Sequence, residues 1–258
     1  MSTTESPSDV PLLELRTVGK HFGPVKALDG VNLTLPAGKV TALIGDNGAG
    51  KSSLIKTVSG LWTQDTGQIL WEGKEVVLNS PREAEALGIK TIYQDLALCD
   101  NLDIVQNMYL GHELVRKGQL DETNMELLAK QTLKDLSVTT VRSIRQPVAS
   151  LSGGQRQSVA VAKAMINQAK LVIMDEPTAA LGVAQTRMVL ELIKKLSSRG
   201  VAVLVISHNL NDVFEVSDRI AVLYLGNMVA SGPASDFNRQ NAVEYMTTGT
   251  FSQAASAA

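Results

Sequence analysis

Residues 45–52 limit the choice of fold more sharply than any other part of the 258-residue sequence. They read Gly-Asp-Asn-Gly-Ala-Gly-Lys-Ser and directly follow a short apolar run at residues 40–44, which matches the pattern G-x-x-x-x-G-K-[ST] after a strand. Glycines let successive backbone N–H groups converge on phosphate oxygens, and the N-terminus of the next helix adds its dipole. The segment therefore predicts a phosphate-binding loop between a buried strand and a helix, with Lys51 and Ser52 as ligand-binding side chains.

The composition narrows the class of protein. Hydrophobic residues make up 44% and charged residues 19% of the chain, enough for one substantial domain with a large core. The formal net charge of −2 lacks the electrostatic footprint of nucleic-acid binders. Apolar runs such as residues 201–206 are far shorter than the roughly 20 residues that a membrane-spanning helix needs. We expect a soluble chain with no membrane span and no nucleic-acid partner.

The chain ends and the isolated thiol give no indication of chemistry. Residues 1–11 contain neither Lys nor Arg, so we expect no secretory signal there, and we expect flexible tails at residues 1–11 and 250–258. Cys99 is the single cysteine, so no internal disulfide forms, as in a reducing cytosol. We assign no chemistry to Cys99, His21 or His112, because none has metal-like partners in the sequence.

Two hydrophobic patterns divide the strands. Near the N-terminus, Leu13 and Leu15 alternate with polar residues, as do Val31 and Leu33, which predicts antiparallel strands. Later strands read instead as continuous apolar runs, which is typical of parallel strands buried on both faces. These runs occupy residues 40–44, 171–174 and 201–206.

Helices connect these runs. Residues 183–199 show helical spacing and end before Gly200, which predicts a βαβ crossover. The stretch from about residue 96 to 165 lacks strand-like runs, and we interpret it as a helical insertion. Apolar residues recur through it at Met125, Leu128, Leu133 and Leu136.

Two carboxylates follow the apolar run at residues 171–174. Asp175 stands where it can bind Mg²⁺, and Glu176 where it can take a proton from an attacking water. Alone, such a pair is usually a helix cap or a solvated loop. In the same chain as a phosphate loop, the pair predicts phosphoanhydride hydrolysis.

A serine and two glycines precede another predicted helix. Ser152 can cap this helix and also hydrogen-bond a phosphate, while Gly153 and Gly154 free the backbone for close approach to an anion. A simple N-cap turn explains Ser152 but gives no reason for two glycines followed by Gln155.

In this order, the motifs resemble those of the nucleotide-binding subunits of ATP-binding cassette (ABC) transporters. The resemblance covers residues 12–249 and includes the signature at residues 151–155, the Q-loop at residues 93–94 and His208 after a later strand. It implies an α/β fold with a P-loop NTPase (RecA-like) core and an antiparallel β subdomain near the N-terminus. It also implies a helical subdomain at about residues 96–163.

The resemblance further implies ATP and Mg²⁺ as cofactors and assigns roles to single residues. Phe22 occupies the position of the aromatic residue that stacks on adenine. The implied nucleotide-binding residues are Phe22, Gly45, Asp46, Asn47, Gly48, Ala49, Gly50, Lys51, Ser52, Ser53, Ser152, Gly153, Gly154 and Gln155. The implied catalytic residues are Glu176, His208, Lys51 and Gln94, and the implied Mg²⁺ ligands are Ser52, Gln94 and Asp175. One position departs from the family: Gly182 stands where the D-loop commonly ends in Asp, so a polar contact across the dimer is missing.

The resemblance also implies partners. Two copies pair head to tail, each ATP lying between one copy's phosphate loop and the other's signature. Several motifs look like those of bacterial importers for ribose, xylose and fructose, and the single phosphate loop matches their single-cassette members. A homodimer at the cytoplasmic face of the bacterial inner membrane would then power monosaccharide uptake through an integral membrane permease, with a periplasmic sugar-binding protein delivering the cargo.

Other functions stay open at this point, namely import of a non-sugar solute and a cytosolic ABC-type ATPase that is not coupled to transport. The segment between Ser52 and Leu151 has no room for the long coiled coil of DNA-repair and chromosome ATPases, and ribosome-acting relatives carry two cassettes. A regulatory module without hydrolysis conflicts with the presence of Glu176 and His208. An exporter half is disfavoured because its membrane helices are usually fused to the cassette.

Overall fold

The computed structural model describes residues 10–138 and 140–251, so most of the predicted flexible tails lies outside the described residues. The described strands are β1 (Leu13–Phe22), β2 (Val25–Leu35), β3 (Val40–Ile44), β4 (Thr66–Trp71), β5 (Lys74–Val76), β6 (Ile89–Ile92), β7 (Val115–Arg116), β8 (Gln119–Leu120), β9 (Leu171–Asp175), β10 (Ala202–Ile206), β11 (Arg219–Tyr224) and β12 (Asn227–Pro233). The described helices are α1 (Lys51–Val58), α2 (Pro81–Leu87), α3 (Ile104–Tyr109), α4 (Glu122–Asp135), α5 (Gly153–Ile166), α6 (Val183–Ser198), α7 (Leu210–Val216) and α8 (Arg239–Thr248). In this part of the chain, no helix combines the length and apolar character needed to cross a bilayer.

The N-terminal strands form the predicted antiparallel sheet, in the order β2-β1-β4-β5. Strands β1 and β2 pair from Leu13 opposite Leu35 to Phe22 opposite Val25, so a two-residue turn joins them. The alternation seen in the sequence follows from this arrangement, because one face of the sheet packs on the core and the other faces solvent.

A second sheet has the order β12-β11-β3-β10-β9-β6, and its strands are parallel except for the antiparallel edge strand β12. Helix α6 connects β9 to its neighbour β10, which is the predicted βαβ crossover. The predicted α/β fold with an antiparallel β subdomain and helices is confirmed.

The two faces of the parallel sheet belong to different hydrophobic cores. Leu171 and Ile173 of β9 pack with the antiparallel sheet, α1 and α2. Val172 and Met174 of the same strand pack with helices α3 to α6. Alternate residues point to opposite faces of a strand, so burial of both faces requires the unbroken apolar run seen in the sequence.

The predicted helical insertion lies between β6 and β9. It contains α3, α4 and α5 and also the short hairpin β7–β8, which the sequence did not reveal because its strands are only two residues long. On α4 the buried face carries Met125, Ala129 and Leu133, whereas Leu128 is exposed. Small Ala129 therefore takes the inward place that the spacing assigned to Leu128.

One buried amide holds the start of this insertion together. The side chain of Asn107 on α3 is fully buried, and its Oδ1 accepts a hydrogen bond of 2.7 Å from the backbone N–H of Cys99. Its Nδ2 lies within 3.2 Å of the carbonyl oxygens of Cys99, Leu102 and Asp103, to which it donates. This side chain thus accepts from the Cys99 N–H and adds a second donor to each of three carbonyl oxygens that also accept a backbone N–H, so it ties the loop at residues 99–103 to α3.

Replacing Asn107 by Ala should therefore destabilise the protein strongly. Loss of the amide removes the acceptor of the Cys99 N–H and three further hydrogen bonds at a fully buried position, and we expect the free energy of unfolding to fall by about 2–3 kcal/mol. Urea denaturation followed by circular dichroism measures this, with Asn124→Ala on the exposed side of α4 as the matched control. Equal unfolding midpoints for the two variants would contradict this stabilising role of the Asn107 side chain.

Candidate functional site

The register of the parallel sheet brings the predicted site residues to one edge. Ile206 at the end of β10 lies opposite Leu43 of β3 on one side and Asp175 of β9 on the other. Ile92 at the end of β6 lies opposite Met174 of β9. The loops after β3, β10, β9 and β6 therefore leave the sheet side by side, at the carboxyl edge where open α/β sheets bind ligands.

A cleft of about 540 Å³ opens at this edge. The predicted residues that line it are Asn47, Gly48, Gly50, Lys51, Ser52, Ser53, Gln94, Asp175 and Glu176. Gly45, Asp46 and Ala49 belong to the same loop but are not among the lining residues, and Ala49 is buried in the core. Phosphate-loop, Q-loop and carboxylate residues, far apart in the sequence, thus share one cleft.

Glycine is needed in this loop for steric reasons. A Cβ on Gly45 would overlap the carbonyl oxygen of Leu223. Gly50, immediately before α1, has φ +105°, and a Cβ there would lie 2.6 Å from the carbonyl oxygen of Ala27. The loop therefore runs tightly against its neighbours, and the N–H groups of the first turn of α1, which have no partners within the helix, are available to a ligand in the cleft.

Lys51 is folded back over the loop that it follows. Its Nζ donates to the carbonyl oxygens of Gly45 at 2.7 Å and Asp46 at 2.9 Å. Burial lowers the pKa of Lys51, and the nearby carboxylates of Glu176, Asp46 and Asp175 partly oppose that shift. An ammonium group poised in this way favours an incoming anion that replaces its carbonyl partners.

The donor set in the cleft fits a small hard cation. Burial raises the pKa of Asp175, and the neighbouring charge of Glu176 raises it further. A bound divalent cation would stabilise the charged carboxylate. The hydroxyl of Ser52, the amide of Gln94 and the carboxylate of Asp175 line the same cleft and offer the oxygen ligands that Mg²⁺ takes together with substrate phosphates. Among the described residues, no three His, Cys, Asp or Glu side chains cluster into a separate metal site.

Glu176 and His208 form a pair beside the cleft. The Oε1 of Glu176 lies 2.8 Å from Nδ1 of His208, and the backbone N–H of Glu176 donates to the carbonyl oxygen of Ile206 at 2.9 Å. Glu176 has φ +48°, a left-handed backbone conformation that is costly for a residue with a side chain. The chain thus accepts strain at the residue that is predicted to act as general base.

The predicted signature lies away from this cleft. Ser152 and Gln155 form a reciprocal capping box at the start of α5, with Ser152 N–H donating to Oε1 of Gln155 at 2.9 Å. A Cβ on Gly153 would lie 2.7 Å from Leu181, and one on Gly154 would lie 3.2 Å from Cβ of Gln185. Both glycines therefore allow the start of α5 to approach Leu181 and the first turn of α6.

Two other predicted positions lie outside the cleft lining. Phe22 stands at the end of β1, paired with Val25, which lines the cleft, and the Phe22 residue is 43% exposed. Gly182 precedes α6 as its N-cap without a side-chain hydrogen bond, and nothing lies within 4 Å of the Cβ that another residue would add.

Sequence reasoning missed several residues that line the cleft, namely Val25, Lys26, Ala27, Leu225 and Gly226. They come from the β1–β2 hairpin and the β11–β12 turn, which long-range pairing brings to the phosphate loop. Gly226 N–H donates to the carbonyl oxygen of Ala49 at 2.9 Å. In the sequence, Gly226 indicates a turn between β11 and β12. It does not indicate that this turn packs against the phosphate loop.

Comparison with known proteins identifies the family. Residues 28–179 match the family described as ABC transporter. The chain is 48% identical to the xylose/arabinose import ATP-binding protein XylG of Sulfolobus acidocaldarius, over 92% of this chain and 94% of that protein. It is 47% identical to the fructose import ATP-binding protein FrcA of Rhizobium meliloti, with the same coverage. The xylose import ATP-binding protein XylG of Brucella abortus is 40% identical over 91% of this chain and 46% of its own length.

Solved structures agree with the sequence relatives. The ADP conformation of MJ1267, an ATP-binding cassette of an ABC transporter, superimposes with a TM-score of 0.77 at 25% identity, covering 92% of this chain and 95% of that chain. The dimeric cassette MJ0796 bound to ADP and Pi gives a TM-score of 0.71 at 25% identity, covering 86% and 98%. With the phosphate loop, the two carboxylates and His208 gathered at one sheet edge, these relationships show that the chain belongs to the ABC transporter family of ATP-binding cassettes.

Proposed function

We propose that this chain is the ATP-hydrolysing subunit of a bacterial ABC importer and that it powers uptake of a monosaccharide through a partner permease. The observation that carries the proposal is the placement of Glu176, held by His208, in the cleft formed by the phosphate loop. Two relatives that match over nearly their whole length are import ATP-binding proteins for xylose/arabinose and for fructose, which supports a sugar as the cargo.

In this proposal the phosphate loop and Lys51 hold the triphosphate of ATP. Lys51 gives up its bonds to the carbonyl oxygens of Gly45 and Asp46 and donates to phosphate oxygens instead. Ser52, Gln94 and Asp175 would hold Mg²⁺, which would supply positive charge to neutralise the phosphates. Phe22, at the rim of the cleft, stacks on adenine through its exposed ring.

Glu176 then acts as general base on the water that attacks the γ-phosphate. Its carboxylate accepts a hydrogen bond from His208 when Nδ1 carries the proton, which fixes the direction in which the second carboxylate oxygen points. His208 is 72% exposed in its side chain, so its ring remains free to contact the γ-phosphate.

A second copy of the chain completes the site. Ser152, Gly153, Gly154 and Gln155 do not line the cleft of their own chain. In a head-to-tail dimer the exposed start of α5 would face the partner's phosphate loop, and Ser152 would donate to its ATP. The dimeric state of the related cassette MJ0796 supports this arrangement.

The permease would dock next to the Q-loop. Tyr93 lines a groove of about 260 Å³ between β6 and α5, together with Leu96, Ala97 and Lys163, whereas adjacent Gln94 lines the nucleotide cleft. Neighbouring residues therefore face the two sites that must communicate. We propose that the chain is a peripheral subunit at the cytoplasmic face of the inner membrane, with a periplasmic sugar-binding protein as an indirect partner.

A pull-down from native membranes tests the proposed function as a whole. Tagged Glu176→Gln protein with ATP and Mg²⁺ should hold the closed dimer and retain its partners for mass spectrometry. Recovery of an integral membrane permease supports the proposal, and the permease's binding protein can then be screened against sugars. Recovery of soluble partners alone, at every salt concentration tried, would move the function to a cytosolic assembly.

Glu176→Gln should abolish turnover while leaving ATP binding intact. Loss of a general base typically costs 10²–10⁴-fold in rate, and the amide keeps the size of the carboxylate. Phosphate release and calorimetric ATP binding measure the two effects separately. Glu191→Gln on the exposed face of α6 is the matched control and should retain the full rate. An undiminished rate in Glu176→Gln would remove Glu176 from this role.

Two inactive variants should restore activity when they are mixed, if the site is shared between chains. Lys51→Ala weakens phosphate binding, and Ser152→Asp keeps a good N-cap but places a negative charge at the phosphates. Each mixed dimer has one site with both defects and one site with neither. After random exchange about half of the dimers are mixed, and one of the two sites in each mixed dimer is intact. We therefore expect up to about a quarter of the wild-type rate.

The outcome of this mixing experiment is unambiguous for the shared site. Each variant alone should be inactive. When the two variants are mixed, the ATPase rate should be highest at equal amounts of each. No recovery after proven subunit exchange would mean that each chain completes its own site.

A further inference from the structure

Phe22 does not stand alone at the end of β1. Its ring centroid lies 4.7 Å from that of Trp62, with an angle of 68° between the ring planes, which is the edge-to-face geometry that aromatic pairs prefer. Trp62 belongs to the turn that ends α1, where the backbone N–H groups of Leu61 and Trp62 both donate to the carbonyl oxygen of Lys56. An aromatic side chain at the end of the phosphate-loop helix therefore supports the aromatic side chain at the rim of the cleft.

A cation lies over each ring of this pair. Nζ of Lys56 on α1 is 4.5 Å from the centroid of Trp62, and Nζ of Lys20 on β1 is 5.6 Å from the centroid of Phe22. Lys20 is itself fixed, because its Nζ also donates to the carbonyl oxygen of Thr63 at 2.8 Å and to Asp65 at 2.9 Å. The two rings are thus held from both elements, α1 and β1.

Asp65 closes this connection between the turn and the strand. Its carboxylate accepts a 2.6 Å hydrogen bond from the backbone N–H of His21 as well as the bond from Lys20. The His21 N–H and Lys20 hold the pKa of Asp65 below its ordinary value. The segment that carries Trp62 is therefore tied to the residues directly before Phe22, so the relative position of the two rings is set by backbone as well as side-chain contacts.

We infer that Trp62 is a positioning residue for the nucleobase: its contact with Phe22 holds that ring in the orientation that stacks on adenine. The inference rests on the proposed role of Phe22 at the nucleotide site. Phe22 is nearly half exposed at a hairpin end, so without Trp62 its ring would sample other rotamers. Because Trp62 lies in the turn directly after α1, and the first turn of α1 faces the phosphates, α1 sets the distance between the base and the triphosphate.

A purely structural role for Trp62 makes a different prediction. If the pair only covers apolar surface, its loss lowers stability and disturbs the end of β1, but it does not separate base binding from phosphate binding. A positioning role affects recognition of the base and leaves the phosphate contacts of Lys51 and Ser52 unchanged. Ligands with and without the base distinguish the two roles.

The experiment compares ATP with inorganic tripolyphosphate, which has the phosphate chain but no base. Binding of each is measured by calorimetry for the wild type, Trp62→Ala, Trp62→Phe and Leu61→Ala, the last being the exposed neighbour in the same turn. Steady-state hydrolysis gives KM and kcat for ATP, and thermal melting confirms that each variant is folded.

For Trp62→Ala we expect ATP affinity to fall by about 2- to 10-fold, the range for loss of an aromatic pair, with tripolyphosphate affinity unchanged. KM for ATP should rise by the same factor while kcat stays at the wild-type value. Trp62→Phe should restore most of the loss because it keeps an aromatic edge, and Leu61→Ala should behave like the wild type.

Equal weakening of both ligands, or no change for ATP, would overturn the inference. Phe22→Ala and the Phe22→Ala/Trp62→Ala double variant complete a cycle, in which the two losses should not add because both act through one ring. Unchanged ATP affinity in Phe22→Ala would overturn the proposed base contact and this inference with it. A wild-type chain that binds tripolyphosphate and hydrolyses ATP would still retain the proposed ATPase function.

Discussion

The parallel register of β3, β10, β9 and β6 is the constraint on which the candidate site depends. Because the four strands run in one direction and end at nearly the same level, their loops meet without any long excursion of the chain. Hydrophobic burial on both faces fixes this register, since a slip of one residue would exchange the two cores. Packing energy far from the cleft thus determines the distances between the groups that line it.

Local features of the site could be predicted from the sequence, and long-range ones could not. The loop at residues 45–52, the capping box of Ser152 and Gln155 and the strand that ends at Asp175 each depend on a few adjacent residues. The contacts of Phe22 with Trp62 and of Gly226 with Ala49 join segments that are distant in the chain, so no periodicity reports them. The hairpin β7–β8 is too short for its alternation to stand out. Gln94 was predicted only from the resemblance to ABC transporter subunits. It reaches the cleft because it follows β6, which pairs with β9.

Several side chains of the site form hydrogen bonds with other groups of the same chain. Lys51 donates to its own loop, His208 pairs with Glu176, and the amide of Gln155 bonds within its own chain. A ligand must therefore replace existing hydrogen bonds, so its net gain is smaller than the sum of its new contacts. Binding at such a site favours ligands that carry high charge and reach several groups at once, as a nucleoside triphosphate does.

The assignment of the two faces of the parallel sheet to different cores also bears on how the sequence can change over time. Val172 and Ile173 are neighbours in the chain, yet one packs with the helical insertion and the other with the antiparallel sheet. Substitutions at the two positions are compensated by different sets of residues. A change in packing on the face toward the helices can therefore be accommodated without disturbing the face that positions the phosphate-loop helix.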